Sequence, residues 1–161
     1  MTVRRRTPNV PTQDRYRASA DRFLADRWSE AEARYAVWER VGGDPLTGQP
    51  GRCEGCGGTW YGQMAHRVFR SQAGTWNPAG ILALCGSGTT GCHGDIGHGE
   101  RTLARGLGWD LEPGADPSAH AAWLRDPFDP TRARWVLLRN ELDADGRRRH
   151  LVIPVEPRWV A

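Results

Sequence analysis

The sequence predicts a single α+β domain: an N-terminal helical segment, a central unit of short strands with one short helix, and a C-terminal extension that ends in a β-hairpin. Three observations predict it. The chain has 161 residues, enough for one compact core and too few for two ordinary domains. Hydrophobic residues at 39% and charged residues at 25% are globular, while 20 Gly and 11 Pro imply a loop-rich body rather than a helical bundle. The apolar spacing also changes along the chain, from helical before residue 43 to short strand-like runs after it.

Taken in order, residues 1–11 carry Arg4, Arg5, Arg6, Pro8 and Pro11 with too little apolar surface to order themselves, and read as a flexible basic arm. Residues 12–43 form the helical segment. Tyr16, Ala20, Leu24, Trp28, Ala31, Tyr35 and Trp38 recur every three or four positions, one stripe that reads as core packing rather than a base-stacking platform. Gly42, Gly43 and Pro45 stop it, and Ser29 followed by Glu32 has the form of a capping box, so two helices meeting near residue 28 are an alternative to one rod. Residues 44–107 form the central unit, with strands expected over 61–69 and 81–84 and a helix starting near Gly91. Residues 108–161 pack on the same domain. There, 134–139 is expected to pair with 149–155 across Asp143-Ala-Asp-Gly146.

The 22 basic residues are all Arg, and the net charge is +3. A genome rich in G and C explains the missing Lys without invoking function. The pI near 8.9 permits a polyanionic partner without demanding one. No stretch approaches the roughly 20 apolar residues of a membrane span, and the first residues lack the apolar core of a signal peptide. The expectation is a cytoplasmic protein with no membrane partner.

The four cysteines fall into two pairs: Cys53 and Cys56, followed by two glycines, and Cys85 and Cys92, inside Leu84-Cys-Gly-Ser-Gly-Thr-Thr-Gly-Cys-His93. Without a secretory signal, paired cysteines on Gly-rich turns argue for thiolates on a metal rather than disulfides. Zn²⁺ suits four soft ligands in a closed tetrahedron. The six-residue gap of the second pair is wide, but its glycines let the chain double back. An active-site dithiol and ordinary buried thiols are the competing readings. A zinc clasp would bring His66, in Gln63-Met-Ala-His-Arg-Val-Phe69, into one neighbourhood with His93.

The order Cys-x-x-Cys, His-Arg, Trp-Asn-Pro and Ile-Leu-Ala-Leu-Cys-Gly-Ser-Gly-Thr-Thr-Gly-Cys-His-Gly, over roughly residues 38–100, resembles the HNH endonucleases, in particular the small zinc-containing ones of bacteriophages and actinobacterial genomes. The resemblance implies a ββα-metal (His-Me finger) unit and hydrolysis of DNA phosphodiesters, in a bacterial host cell and near phage packaging machinery. It implies His66 as general base, since a neutral imidazole can take a proton from water at physiological pH. It also implies His93 as a ligand of one divalent catalytic ion such as Mg²⁺, Mn²⁺ or Ni²⁺. Arg67, Arg70, Arg101 and Arg105 are the candidate contacts to the nucleic-acid backbone.

Three positions depart from the family pattern. Ala65 stands where many members carry Asp or His to bind the ion. Gly80 stands at the usual place of the middle Asn, for which Asn77 is the substitute as a catalytic residue. His98 lies five residues after His93, about 140° round a regular helix, so it completes the ion's shell only if the turn there is irregular. Asp95, Gln63 and Glu100 are reserve ligands. Trp60 and Trp76 are expected as core or loop anchors, and His120 and His150 as surface residues. Two other readings compete with an enzyme: a zinc-stabilised DNA-binding module that has lost the ion, which Ala65 and Gly80 favour, and a protein-interaction module whose Arg arm binds an acidic partner.

Overall fold

The computed structural model describes residues 26–72, 74–97 and 101–156. The expected basic arm and the first half of the N-terminal helical segment lie outside them. Within them the protein mixes helix and strand. Helix α1 (Glu30–Arg40) begins where its sequence says it should: the Ser29 hydroxyl accepts from the Glu32 N–H at 3.2 Å while the Glu32 carboxylate accepts from the Ser29 N–H at 2.8 Å. This reciprocal cap satisfies two amides that no helical carbonyl reaches.

The buried face of α1 differs from the aromatic stripe. Ala33, Val37 and Val41, four apart, are fully buried, whereas Tyr35 is 42% exposed and Ala31 is exposed. Trp28 and Trp38 pack against the edge of the core. Large aromatics dominated the pattern by size, but the small residues allow the helix to lie close to the sheet beneath it.

Three antiparallel units follow. Strands β1 (Gly51–Arg52) and β2 (Thr59–Trp60) pair across the Cys53–Cys56 turn. Strands β3 (Met64–His66) and β4 (Ile81–Ala83) pair with His66 opposite Ile81, shorter than expected from sequence. Helix α2 (Gly91–Gly97) follows β4, and helix α3 (Arg101–Gly106) follows that. Strands β5 (Ala122–Arg125), β6 (Ala133–Leu142) and β7 (Arg148–Pro154) form a three-stranded sheet in that order. The β6–β7 hairpin is the one expected, and β5 is an addition to it. Asp143 organises the hairpin loop, its carboxylate accepting from the N–H groups of Asp145 and Arg147.

One core joins these parts. Trp60, Ile81, Leu82, Leu84, Ile96, Val136 and Leu138 are essentially inaccessible to solvent. Trp60 also donates its indole N–H to the Gln63 carbonyl at 2.7 Å, so burying it leaves no polar atom unpaired. No helix among the described residues is long and apolar enough to cross a membrane.

Two polar networks tie the layers. Arg40, at the end of α1, forms a buried ion pair with Glu54 at 2.7 Å and donates to the carbonyls of Ile81 and Pro78. Glu54 in turn accepts from the Ala83 N–H at 2.7 Å, so the cysteine turn, β4 and α1 share one buried charge pair. The other side of Arg40 reaches His150 Nε2 at 2.8 Å. Because guanidinium only donates, the His150 proton sits on Nδ1, which bonds the Asn140 carbonyl oxygen at 2.9 Å. His150 is thus a half-buried link between Arg40 and Asn140 rather than the free surface residue that its polar neighbourhood in sequence suggests. Burial, followed by the adjacent Arg40 charge, holds it well below the ordinary imidazole range.

Candidate metal centre and histidine site

The four cysteine sulfurs lie within 4.8 Å of one another. Cys53 and Cys56 sit on the β1–β2 turn, and Cys85 and Cys92 flank the loop between β4 and α2. That loop doubles back because Gly86 adopts φ +88°, with Thr90 O only 2.0 Å from where a Cβ would stand. Gly55 plays the matching part on the other turn, since a Cβ there would lie 3.0 Å from the Cys92 sulfur. The expectation that glycine makes up for the wide second spacing therefore holds, and the four cysteines could bind a metal.

The negative charge of the cluster gathers on Cys53, whose thiol is lowered to about 4, chiefly by the hydrogen bond from Cys92; the Cys85 N–H adds another at 3.2 Å. Cys92 is pushed up by the hydrogen bond that it gives to Cys53, and Cys85 by burial. Four thiolates this close repel one another, and a divalent cation removes that repulsion. Cys56 Sγ and Cys85 Sγ are 3.6 Å apart, near the roughly 3.8 Å edge of a tetrahedron with bonds of about 2.3 Å.

His66 and His93 sit on different elements, near enough for the charge of His93 to act on His66. His66 ends β3, and His93, next to Cys92, is in the first turn of α2 with its N–H bonded to the Cys85 carbonyl at 3.0 Å. Both rings are half-buried. His66 Nε2 and His93 Nδ1 are buried atoms without a hydrogen-bond partner among the described residues. Leaving two such atoms unpaired is costly unless a ligand meets them. His66 is lowered to about 4, first by burial and then by Arg70, His93 and Arg34, so its ring is neutral at physiological pH. His93 is lowered by burial.

Around His66 stand groups that sequence reading treated unevenly. Trp76 meets the His66 ring edge-on at 5.0 Å. Arg70 and Arg34 place their guanidinium carbons 5.0 Å and 5.1 Å from the Trp76 ring centre. Arg70, an expected backbone contact, is exposed and has no carboxylate partner among the described residues. Arg34 is not singled out by the sequence. Its only sequence signal is Glu30 one turn earlier, with which it pairs at 2.9 Å.

Other expectations need correction. Arg67 is 0% exposed and donates to five backbone carbonyls, those of Gly108, Ala79, Pro117, His120 and Ala121, so it cannot meet a nucleic-acid backbone. Strand alternation explains it: His66 faces the site, and its neighbour faces the interior. Burial lowers Arg67 to about 9, still charged at neutral pH. Asn77 is held by the fold. Its oxygen accepts from the Ala79 N–H at 2.9 Å and from Asn140 at 2.6 Å, and its amide donates to Asp26, so it fixes the turn that precedes β4. Arg101 and Arg105 are both committed to the buried Asp110 carboxylate, at 3.0 Å and 3.2 Å, with Arg105 also pairing with Glu112. His98 and Glu100 lie outside the described residues. Gln63 and Asp95 are exposed, and Ala65 is buried at 1%.

Comparison with models of protein families, with curated proteins and with solved structures returned no match.

Proposed function

We propose that this protein is a metal-dependent endonuclease of the HNH type that cuts or nicks DNA, with a structural zinc on Cys53, Cys56, Cys85 and Cys92. The observation that carries the reading is the pair of unpartnered buried imidazole nitrogens, His66 Nε2 and His93 Nδ1, on a β-strand and the helix that follows it. Strands β3 and β4, followed in the chain by helix α2, are compatible with the ββα unit that the sequence resemblance implies.

In this reading His66 does the proton transfer. Its neutral ring offers Nε2 as an acceptor, so a water lying between it and a phosphodiester loses its proton there as the oxygen attacks phosphorus. Arg70 binds the phosphate chain beside it. His93 Nδ1 suits a borderline divalent cation as a ligand. Such an ion supplies Lewis-acid stabilisation of the charge that builds on the phosphate and on the departing 3′ oxygen. Cutting does not depend on Asn77 touching substrate; that residue keeps the approach to β4 in place.

A second reading has its own support. Among the described residues the four cysteines form the only cluster of three or more metal-ligating side chains, and Ala65 adds no donor. A zinc-stabilised DNA-binding module without nuclease activity accounts for that. Supercoiled plasmid incubated with the protein and Mg²⁺, Mn²⁺ or Ni²⁺ separates the two. Nicking that His66→Ala abolishes supports the nuclease; gel retardation without nicking under all three ions supports the binder.

A further inference from the structure

Helix α1 lies outside the ββα frame, yet it sends Arg34 to the same indole that receives Arg70. Both guanidinium carbons stand about 5 Å from the Trp76 ring centre and are therefore no more than about 10 Å apart. Trp76 itself abuts the His66 ring, and its neighbour Asn77 is locked into the turn by three hydrogen bonds. The indole thus has a fixed place from which to hold two cations. Glu30 takes only Nε of Arg34, which leaves the terminal fork free of any ion pair among the described residues. Two like charges gathered at one ring, with a single half-exposed carboxylate, Glu30, paired to one of them, form an incomplete arrangement that an anion completes.

We infer that Trp76 is a positioning residue that holds Arg34 and Arg70 as a two-pronged clamp on the phosphates flanking the bond presented to His66. The span suits one strand of a nucleic acid, where consecutive phosphates advance roughly 3.4 Å along the axis. The proposal rests on the DNA-directed reading above and adds to it: the substrate is gripped on both sides by the N-terminal helix and by the β3–β4 loop. Arg34 becomes a substrate contact from a part of the chain that the family resemblance does not cover. Trp76 acts through the arginines and touches no reacting atom.

The test is the salt dependence of affinity for a duplex oligonucleotide, measured between about 50 and 200 mM salt without divalent ions. Arg34→Gln and Arg70→Gln each lower the slope of log K against log salt by about 0.9, which is roughly an eightfold loss of affinity at about 0.1 M salt. Trp76→Leu lowers the slope by about 1.8, and Arg34→Gln added to Trp76→Leu has no further effect. Trp76→Phe, which keeps a ring, retains most of the slope. Should Trp76→Leu unfold, the comparison of Arg34→Gln, Arg70→Gln and their double variant decides, because both side chains are at the surface. A wild-type slope that Arg34→Gln leaves unchanged overturns the clamp and spares the DNA-directed reading. Wild-type protein with no salt-dependent affinity overturns both.

Discussion

Cys92 and His93 are consecutive, yet they belong to two donor sets of different completeness. The cysteine set is closed: four sulfurs from two turns within 4.8 Å, with glycines at the positions where any side chain would push them apart. The histidine pair is open: two nitrogens without a partner among the described residues. In the proposed reading, the difference would separate a metal that holds a fold together from one that a substrate must be able to reach. A closed shell stabilises and excludes; an open one leaves a coordination position for chemistry.

The largest effect expected from this contrast is on the closed set. Cys53→Ser, or chelation of the wild-type protein, abolishes the cooperative thermal transition, since a structural zinc contributes on the order of 10 kcal/mol of folding free energy. Metal analysis should return one tightly held zinc per chain, and a chain that melts normally after exhaustive chelation contradicts the assignment. Next comes the charge pair that anchors the cysteine turn. Glu54→Ala strands the Arg40 guanidinium in the interior and costs about 3–5 kcal/mol in denaturant unfolding.

The open set should behave in the opposite sense. His66→Ala reduces nicking by roughly 10²–10⁴-fold while the melting temperature stays constant or rises, because an unpaired buried acceptor is removed. A large drop in melting temperature would make His66 a structural residue.

The smallest effect is on stability against pH. Burial holds His66, His93 and His150 below the ordinary imidazole pKa, His66 at about 4. The unfolded chain takes up protons on these rings near pH 6.5, while the folded chain resists until near pH 4 at His66. Stability is therefore complete above about pH 6.5 and drains as pH falls toward 4. His150 lies apart from both donor sets, so His150→Gln should flatten this loss by a fraction of the roughly 1.4 kcal/mol per pH unit that one fully coupled proton gives.

Much of this was legible in the residues, and the divide is physical. Cap and turn signals act over three or four residues, which is why Ser29 with Glu32 placed the start of α1 and why the β6–β7 hairpin and the cysteine pairs were readable. Partners distant in sequence leave no such mark. Nothing local to Arg67 says that five carbonyls from positions 79 to 121 will surround it, and nothing near His150 announces Arg40. Arg34 escaped for the same reason: an i to i+4 ion pair on a helix is ordinary, and only the packing of α1 beside Trp76 distinguishes it. The neighbourhood of Asn77 in sequence shows a turn, but not Asn140 or Asp26 arriving to saturate it.

The buried guanidinium of Arg67 carries one more consequence. Four of its five acceptors, at Gly108, Pro117, His120 and Ala121, belong to the segment that follows residue 107. A chain cut after residue 107 would leave this cation facing a void of hydrocarbon with most of its acceptors gone. The last third of the protein is accordingly the second half of a mould cast around one positive charge, and a smaller stable fragment cannot be obtained by trimming it away.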